Sequence, residues 1–242
     1  MLVPGAAVGA VGVPVNVGLA SGALAATPKP DPLLQKLWSS APLTLSDDDL
    51  RKAGSLDAPK EAPFDYLLNR VEIRYDADGR AKTSRHMVLR YRTRDAVEAL
   101  GTFDVPYSPW FEDRPVVRGR VVPARGAGVD IDPRTIAEAA AKNPELIVSD
   151  RKNLVVPLPH LAVGATVELV IESSDHKSPY GSPVRNGFHG REALARATIV
   201  QIEAPSALEP RIKAMETEAV VTEKKDKGVI IVSVDGGCEG VA

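Results

Sequence analysis

"LLNRVEIRYDADGRAKTSRHMVLRYRT", Leu67 to Thr93, consists of two runs of alternating polarity about a single turn. Val71, Ile73 and Tyr75 fall on one face of the first run, while Arg70, Glu72 and Arg74 fall on the other. After Asp76-Ala-Asp-Gly79 the period resumes, with Met87, Leu89 and Tyr91 alternating with Arg90 and Arg92. Successive strand side chains point to opposite faces, so a period of two around an Asp-Gly turn predicts a β-hairpin with one buried face. Asp76 and Asp78 resemble the start of a calcium loop, but the later ligand positions of such a loop are absent.

The same period extends toward the C-terminus. "RPVVRGRVVPARGAGVDID", Arg114 to Asp132, predicts two strands turned at Arg125-Gly-Ala-Gly128. "DPRTIAEAAAKNP", Asp132 to Pro144, predicts one short helix: Asp132 at the cap, Pro133 at the first helical position, and Asn143-Pro144 at the end. Ile136, Ala137 and Ala140 would then face the core. Leu154 to Leu158 predicts a strand, Leu161 to Gly164 a turn, and Ala165 to Glu172 a further strand. Pro157 and Pro159 cannot donate to a ladder, which places this piece at a sheet edge or corner. "ALARATIVQIEAP" adds a strand, and "AVVTEKKDKGVIIVSVD" a closing hairpin. The fold class predicted is mainly all-β: an antiparallel β-sandwich of about eight to ten short strands with one short inserted helix.

The ends have a different character. Residues 1–26 carry no charge and finish in Ala23-Leu-Ala-Ala26, a signal-peptide-like apolar segment read as a removed export signal, with a retained anchor or an unstructured apolar tail as the alternatives. Residues 27–62 read as a linker with one short helix, capped by Ser46 and begun by three aspartates that suit a helix N-terminus. The sandwich spans 63–236, and 237–242 is a tail. An extracytoplasmic location, periplasmic or secreted, follows from the leader. A net charge of -2, with acids and bases interspersed, disfavours nucleic acid, and no membrane contact is expected beyond a leader or anchor.

Catalytic motifs are missing: there is no Walker loop, G-x-G-x-x-G turn, H-E-x-x-H or G-x-S-x-G elbow. Asp175, His176, His189 and Glu192 match no recognised ligand spacing, so a weak metal-dependent site near His176 and His189 is the alternative reading only. His160 reads as a partly buried structural histidine. Cys238, alone and in a glycine-rich tail, has no helix to lower its thiol pKa and is not read as a nucleophile. No catalytic residue, metal ligand or cofactor is assigned. Tyr107, Trp110 and Phe111, in "DVPYSPWFEDRP", are the weak binding candidates, because an aromatic loop can stack on a ligand or pin itself to the sandwich.

Taken in order, the hairpin from Val71, the strand pair from Val116 and "VSDRKNLVVPLPHLAVGATVELVIE" resemble the bacterial domain of unknown function 3857. Arg120-Val-Val-Pro123, Asp132-Pro-Arg-Thr-Ile136, Ser149-Asp-Arg151, Leu158-Pro159, Gly164 and Glu168 fall on that family's pattern, and "ARGAG" departs from it. The resemblance covers about residues 63 to 236. It implies an extracytoplasmic β-sandwich that usually precedes a transglutaminase-like, papain-type domain. The tail is accordingly read as truncated before that domain. The chain is expected to be a non-catalytic accessory module that binds or positions a protein or cell-envelope component. The alternative is a fragment or subunit of a transglutaminase- or protease-like enzyme system.

Overall fold

The computed structural model describes residues 31–56, 63–140, 150–178, 196–208, 220–226 and 228–236. The predicted hairpin is present as β1 (Phe64–Tyr75) and β2 (Ala81–Tyr91), paired antiparallel, with Gly79 at φ 77° in the turn. Asp76 Oδ1 accepts the N–H groups of Asp78 and Arg80, so this carboxylate is occupied in building the turn. Further along are α3 (Arg94–Ala99), β3 (Thr102–Tyr107), β4 (Val116–Val122), β5 (Val129–Asp130), β6 (Ala137–Ala140), β7 (Lys152–Pro157) and β8 (Thr166–Ser174). The last strands are β9 (Thr198–Pro205), β10 (Val220–Asp226) and β11 (Val229–Gly236).

The chain is mainly β, as its periodicity predicts. Eight strands form one sheet in the order β10-β11-β9-β1-β2-β8-β4-β5, and three form a second in the order β3-β7-β6. Met87, Leu89 and Tyr91 of β2, Val117 and Val121 of β4, and Val167, Leu169 and Ile171 of β8 supply one side of the main core. Val105 and Tyr107 of β3 and Leu154 and Val156 of β7 supply the other. One pair departs from the antiparallel expectation: β9 runs parallel to β1.

Three readings need correction. The inserted helix at Asp132 is a single 3-10 turn, Pro133–Thr135, followed by β6. Asp132 does cap it, accepting from Arg134 N–H, but Ile136 turns extended (φ -74°, ψ 108°) and Ala137–Ala140 pair with β7. Second, β7 is the central strand of its sheet rather than an edge. Pro157 closes the strand and Pro159 lies beyond it, so neither interrupts the ladder. Third, His160 is exposed, at φ 54° in the turn that follows β7.

The hairpin and β8 are also covered on their second face. The described residues 31–56 hold two helices: α1 (Pro32–Ser39), capped by Asp31, and α2 (Asp47–Ser55), capped by Ser46 as its sequence predicts. Leu34, Leu37, Leu45, Leu50 and Ala53 pack on Leu67, Leu68, Val88 and Val122 as a second core. Trp38 Nε1 donates to Leu67 O at 2.9 Å, and Arg70 donates to Trp38 O. Consequently β8 is buried on both faces over its first six residues. No helix among the described residues is long and apolar enough to cross a membrane.

Candidate functional site

Covering the second face takes polar side chains out of water. Thr166 and Glu168 of β8 and His86 of β2 alternate toward the helices, and all three are fully buried or nearly so. Glu168 Oε1 accepts from His86 Nε2 at 2.9 Å and from Leu43 N–H at 2.8 Å. Its Oε2 takes Nε and Nη2 of Arg120 at 3.0 and 2.7 Å. Arg120 also donates to Leu45 O and reaches Asp47, whose other oxygen holds Gly128 N–H. Leu43 takes φ 61° to present its N–H. Burial pushes the Glu168 carboxyl upward, but the bonds from His86, Arg120 and Leu43 outweigh it, and the net shift is downward.

That arrangement is a poor general base, because a carboxylate with four donors and a lowered pKa has little affinity for another proton. Beside it, an open groove of about 450 Å³ at the β4–β5 end is lined by Leu43, Arg118, Arg120, Asp130, Ile131 and Pro133. Arg118 pairs with Glu172 at 3.0 Å and Arg120 with Glu168, so both cations in the groove are already neutralised. No serine, cysteine or histidine lines it.

The aromatic candidates lie at the other end of β4, where β3 and β8 also finish. Tyr107 belongs to β3; its ring is in the main core and its hydroxyl donates to Glu138. Trp110 and Phe111 follow in the loop, edge to face at 5.1 Å with planes 74° apart. Phe111 and Glu112 N–H groups return to Ser108 O, and Phe111 O receives His176 N–H at 2.9 Å. Asp150 accepts the Trp110 N–H at 2.8 Å. The loop is therefore pinned on several sides, yet Trp110 remains 40% exposed, with Lys177 Nζ 5.4 Å from its ring centroid.

His176 thus joins the aromatic loop, as the sequence did not foresee. Its Nδ1 lies 3.2 Å from Asp113 Oδ1, while Ser174 Oγ donates to Asp113 Oδ2 at 2.9 Å. The trio is not a hydrolytic triad: serine and histidine hold the same carboxylate, whereas a nucleophilic serine must bond the histidine. Glu112 and Asp175 close the loop base, both with pKa values raised chiefly by burial. No cluster of three metal-ligating side chains occurs among the described residues. His189, Glu192 and Cys238 lie outside the described residues. His160 precedes β8 and His176 follows it, about 30 Å apart for a nine-residue strand, so they cannot act together.

The sequence matches the model of a family described as a domain of unknown function with a solved structure, DUF3857, over residues 77–234. No curated protein sequence matches. Among solved structures, a "putative protease" from Parabacteroides distasonis superposes with a TM-score of 0.64 at 18% identity, over 72% of this chain and 35% of its own. An M1 zinc metallopeptidase from Deinococcus radiodurans gives 0.37 at 12% identity over 72% and 39%. Yeast LTA4 hydrolase gives 0.35 at 10% over 72% and 29%. The chain spans about a third of the length of these structures.

Proposed function

The chain belongs to the DUF3857 family, and from that premise we propose that it is an exported, non-catalytic β-sandwich module that positions a protein partner, a transglutaminase-like domain foremost. The observation that carries the reading is Trp110: a large aromatic held exposed on a loop whose backbone is pinned by Ser108, Asp150 and His176. A rigid exposed aromatic is the commonest kind of anchor at protein interfaces, because little entropy is lost when it docks. The similar fold in the Parabacteroides protein, as about a third of a longer chain, supports a domain that works beside others. The apolar leader at residues 1–26 supports export. Against a catalytic reading, the most buried carboxylate among the described residues, Glu168, is fully engaged by four donors.

The test is a photo-cross-linking residue at position 110 in the full chain, compared with one at Val163, which is 51% exposed in the turn before β8. Cross-links from position 110 to a transglutaminase-like domain, several-fold above those from 163, are expected. Equal yields from the two positions would overturn the reading. So would turnover by the purified chain in a peptidase or glutamine–lysine cross-linking assay.

A further inference from the structure

Both cations of the groove at the β4–β5 end are neutralised, but its carboxylate is not. Asp130 lines that groove, is exposed, and stands directly across from Arg120 in the β4–β5 ladder. Residues paired in this way share a face of the sheet, so the two side chains leave it on the same side. The Arg120 guanidinium nevertheless turns to other acceptors: Glu168 at 2.7 Å, Leu45 O at 2.6 Å and Asp47 at 3.4 Å. Arg118, the next side chain along that face of β4, is held by Glu172 at 3.0 Å. Arg134 binds both oxygens of Asp132, at 3.0 and 2.7 Å. Among the described residues nothing donates to the Asp130 carboxylate, and no cation stands within ion-pair distance of it.

The walls beside Asp130 are apolar and fixed. Ile131 is 5% exposed, and its N–H donates to Gly119 O at 2.9 Å. Pro133 opens the 3-10 turn that Asp132 caps. Leu43 is held at φ 61° by the bond from its N–H to Glu168. The groove, about 450 Å³, is of the size that holds a small ligand or a side chain. It is open to solvent as it stands, so an occupant enters without any movement of α2 or the sheet.

We propose that this groove is a docking pocket for an arginine or lysine side chain of a protein partner. Leu43, Ile131 and Pro133 flank its aliphatic stem, and Asp130 takes its cationic head. Charge complementarity selects this occupant. An acidic side chain would be repelled by Asp130 and would find Arg118 and Arg120 already bonded. An apolar one would strip water from the carboxylate and return no hydrogen bond. Long basic side chains suit a wall of mixed character, because the stem packs on apolar surface while the head stays at the rim. Both Asp130 oxygens are open, which fits the fork of a guanidinium in particular. The pocket lies at the opposite end of β4 from the Trp110 loop, and its test needs no partner domain, so either reading can fail without the other.

The experiment is an amide NMR titration of the full chain with blocked tripeptides, acetyl-Ala-X-Ala-amide, at constant ionic strength. The central residue X is arginine, lysine, norleucine or glutamate. Saturable shifts at the amides of Gly119, Asp130 and Ile131 are expected with arginine or lysine, and none with norleucine or glutamate. Free methylguanidinium, a head without a stem, should bind several-fold more weakly than the arginine peptide. Asp130→Asn keeps the shape and has no bond to lose, so its Tm should equal that of the unsubstituted protein. It should weaken binding of the basic peptide about 2- to 5-fold, the worth of an exposed ion pair. Arg118→Gln, which takes a like charge out of the groove, should strengthen that binding. Four results overturn the pocket: no shift at those amides with either basic peptide, equal binding of the norleucine peptide, undiminished binding in Asp130→Asn, or methylguanidinium binding as tightly as the arginine peptide. The last would make Asp130 a bare ion contact with no place for a side chain.

Discussion

The Glu168 carboxylate is held by His86 of β2, Arg120 of β4 and the Leu43 N–H, and the two side-chain contacts can be removed separately. Glu168→Gln keeps the volume but leaves the Arg120 guanidinium and His86 facing a neutral amide inside the protein. Removing one member of a buried ion pair typically costs about 3–5 kcal/mol, because the other charge stays buried and uncompensated. Urea unfolding of Glu168→Gln should show a loss of that order, and a loss under about 1 kcal/mol would mean that water reaches the cluster. Gly119 limits the same strand pair by size. A Cβ there would meet Glu168 O at 2.5 Å, and the contact is with backbone rather than a flexible side chain. Gly119→Ala must separate β4 from β8, so a cost of about 1–3 kcal/mol is expected from the same titration. Gly126, whose Cβ would meet nothing, offers the control for crowding, although its φ of 95° still favours glycine.

At the scale of elements, the α1–α2 segment decides how much of the sheet is core. Leu50 is fully buried between α2 and the sheet, and Leu50→Ala removes contacts without touching a strand. A loss of about 2–5 kcal/mol is expected from the transfer and cavity costs together. Hydrogen exchange should then quicken first at amides of α2, before those of β2 and β8, and uniform quickening would show that helices and sheet unfold as one unit. This segment also explains what was legible. The hairpin was readable because Val71, Ile73, Met87 and Leu89 report their own face by alternation. The burial of Thr166, Glu168 and His86 was not, because a polar residue at an alternating position looks solvent-facing unless the covering element is known. The signal for that element was present: Asp31-Pro32 has the cap and first-position proline that Asp132-Pro133 has. Yet the two dipeptides behave differently. Asp31 opens a helix whose Leu34 and Leu37 find a groove, whereas Asp132 opens one turn before Ala137–Ala140 are drawn into pairing with β7. There Glu138 is held by Lys152 and the Tyr107 hydroxyl, contacts that local helix propensity cannot anticipate. The aromatic loop was found through its composition, but its union with His176 came from the pairing of β4 with β8, which only the fold reveals.

For the molecule as a whole, these carboxylates set opposing pH dependences. Glu168 has a lowered pKa in the native state, so the unfolded chain binds more protons than the folded one in the acid range. Its stabilisation is complete above the unfolded value, about 4.3, and is lost as pH falls through the native value. Glu112 and Asp175 act with the opposite sign. Their native pKa values are raised, so each subtracts stability at neutral pH, and that penalty fades as pH falls through the native values. Asp49, Asp76, Asp132 and Glu138 are also lowered, but they are screened by solvent and contribute less. Stability should therefore rise slightly on acidification from neutral pH and then fall steeply once Glu168 begins to protonate. Tm measured against pH separates the two limbs. Glu112→Gln, which retains an oxygen for the Ser108 N–H, should flatten the rise, and Glu168→Gln should flatten the fall. A monotonic decline from neutral pH that neither substitution alters would place the control of acid stability elsewhere in the sheet. A rise removed by Glu112→Gln would show instead that the base of the Trp110 loop is under electrostatic strain at neutral pH, and that the loop is held in place against it.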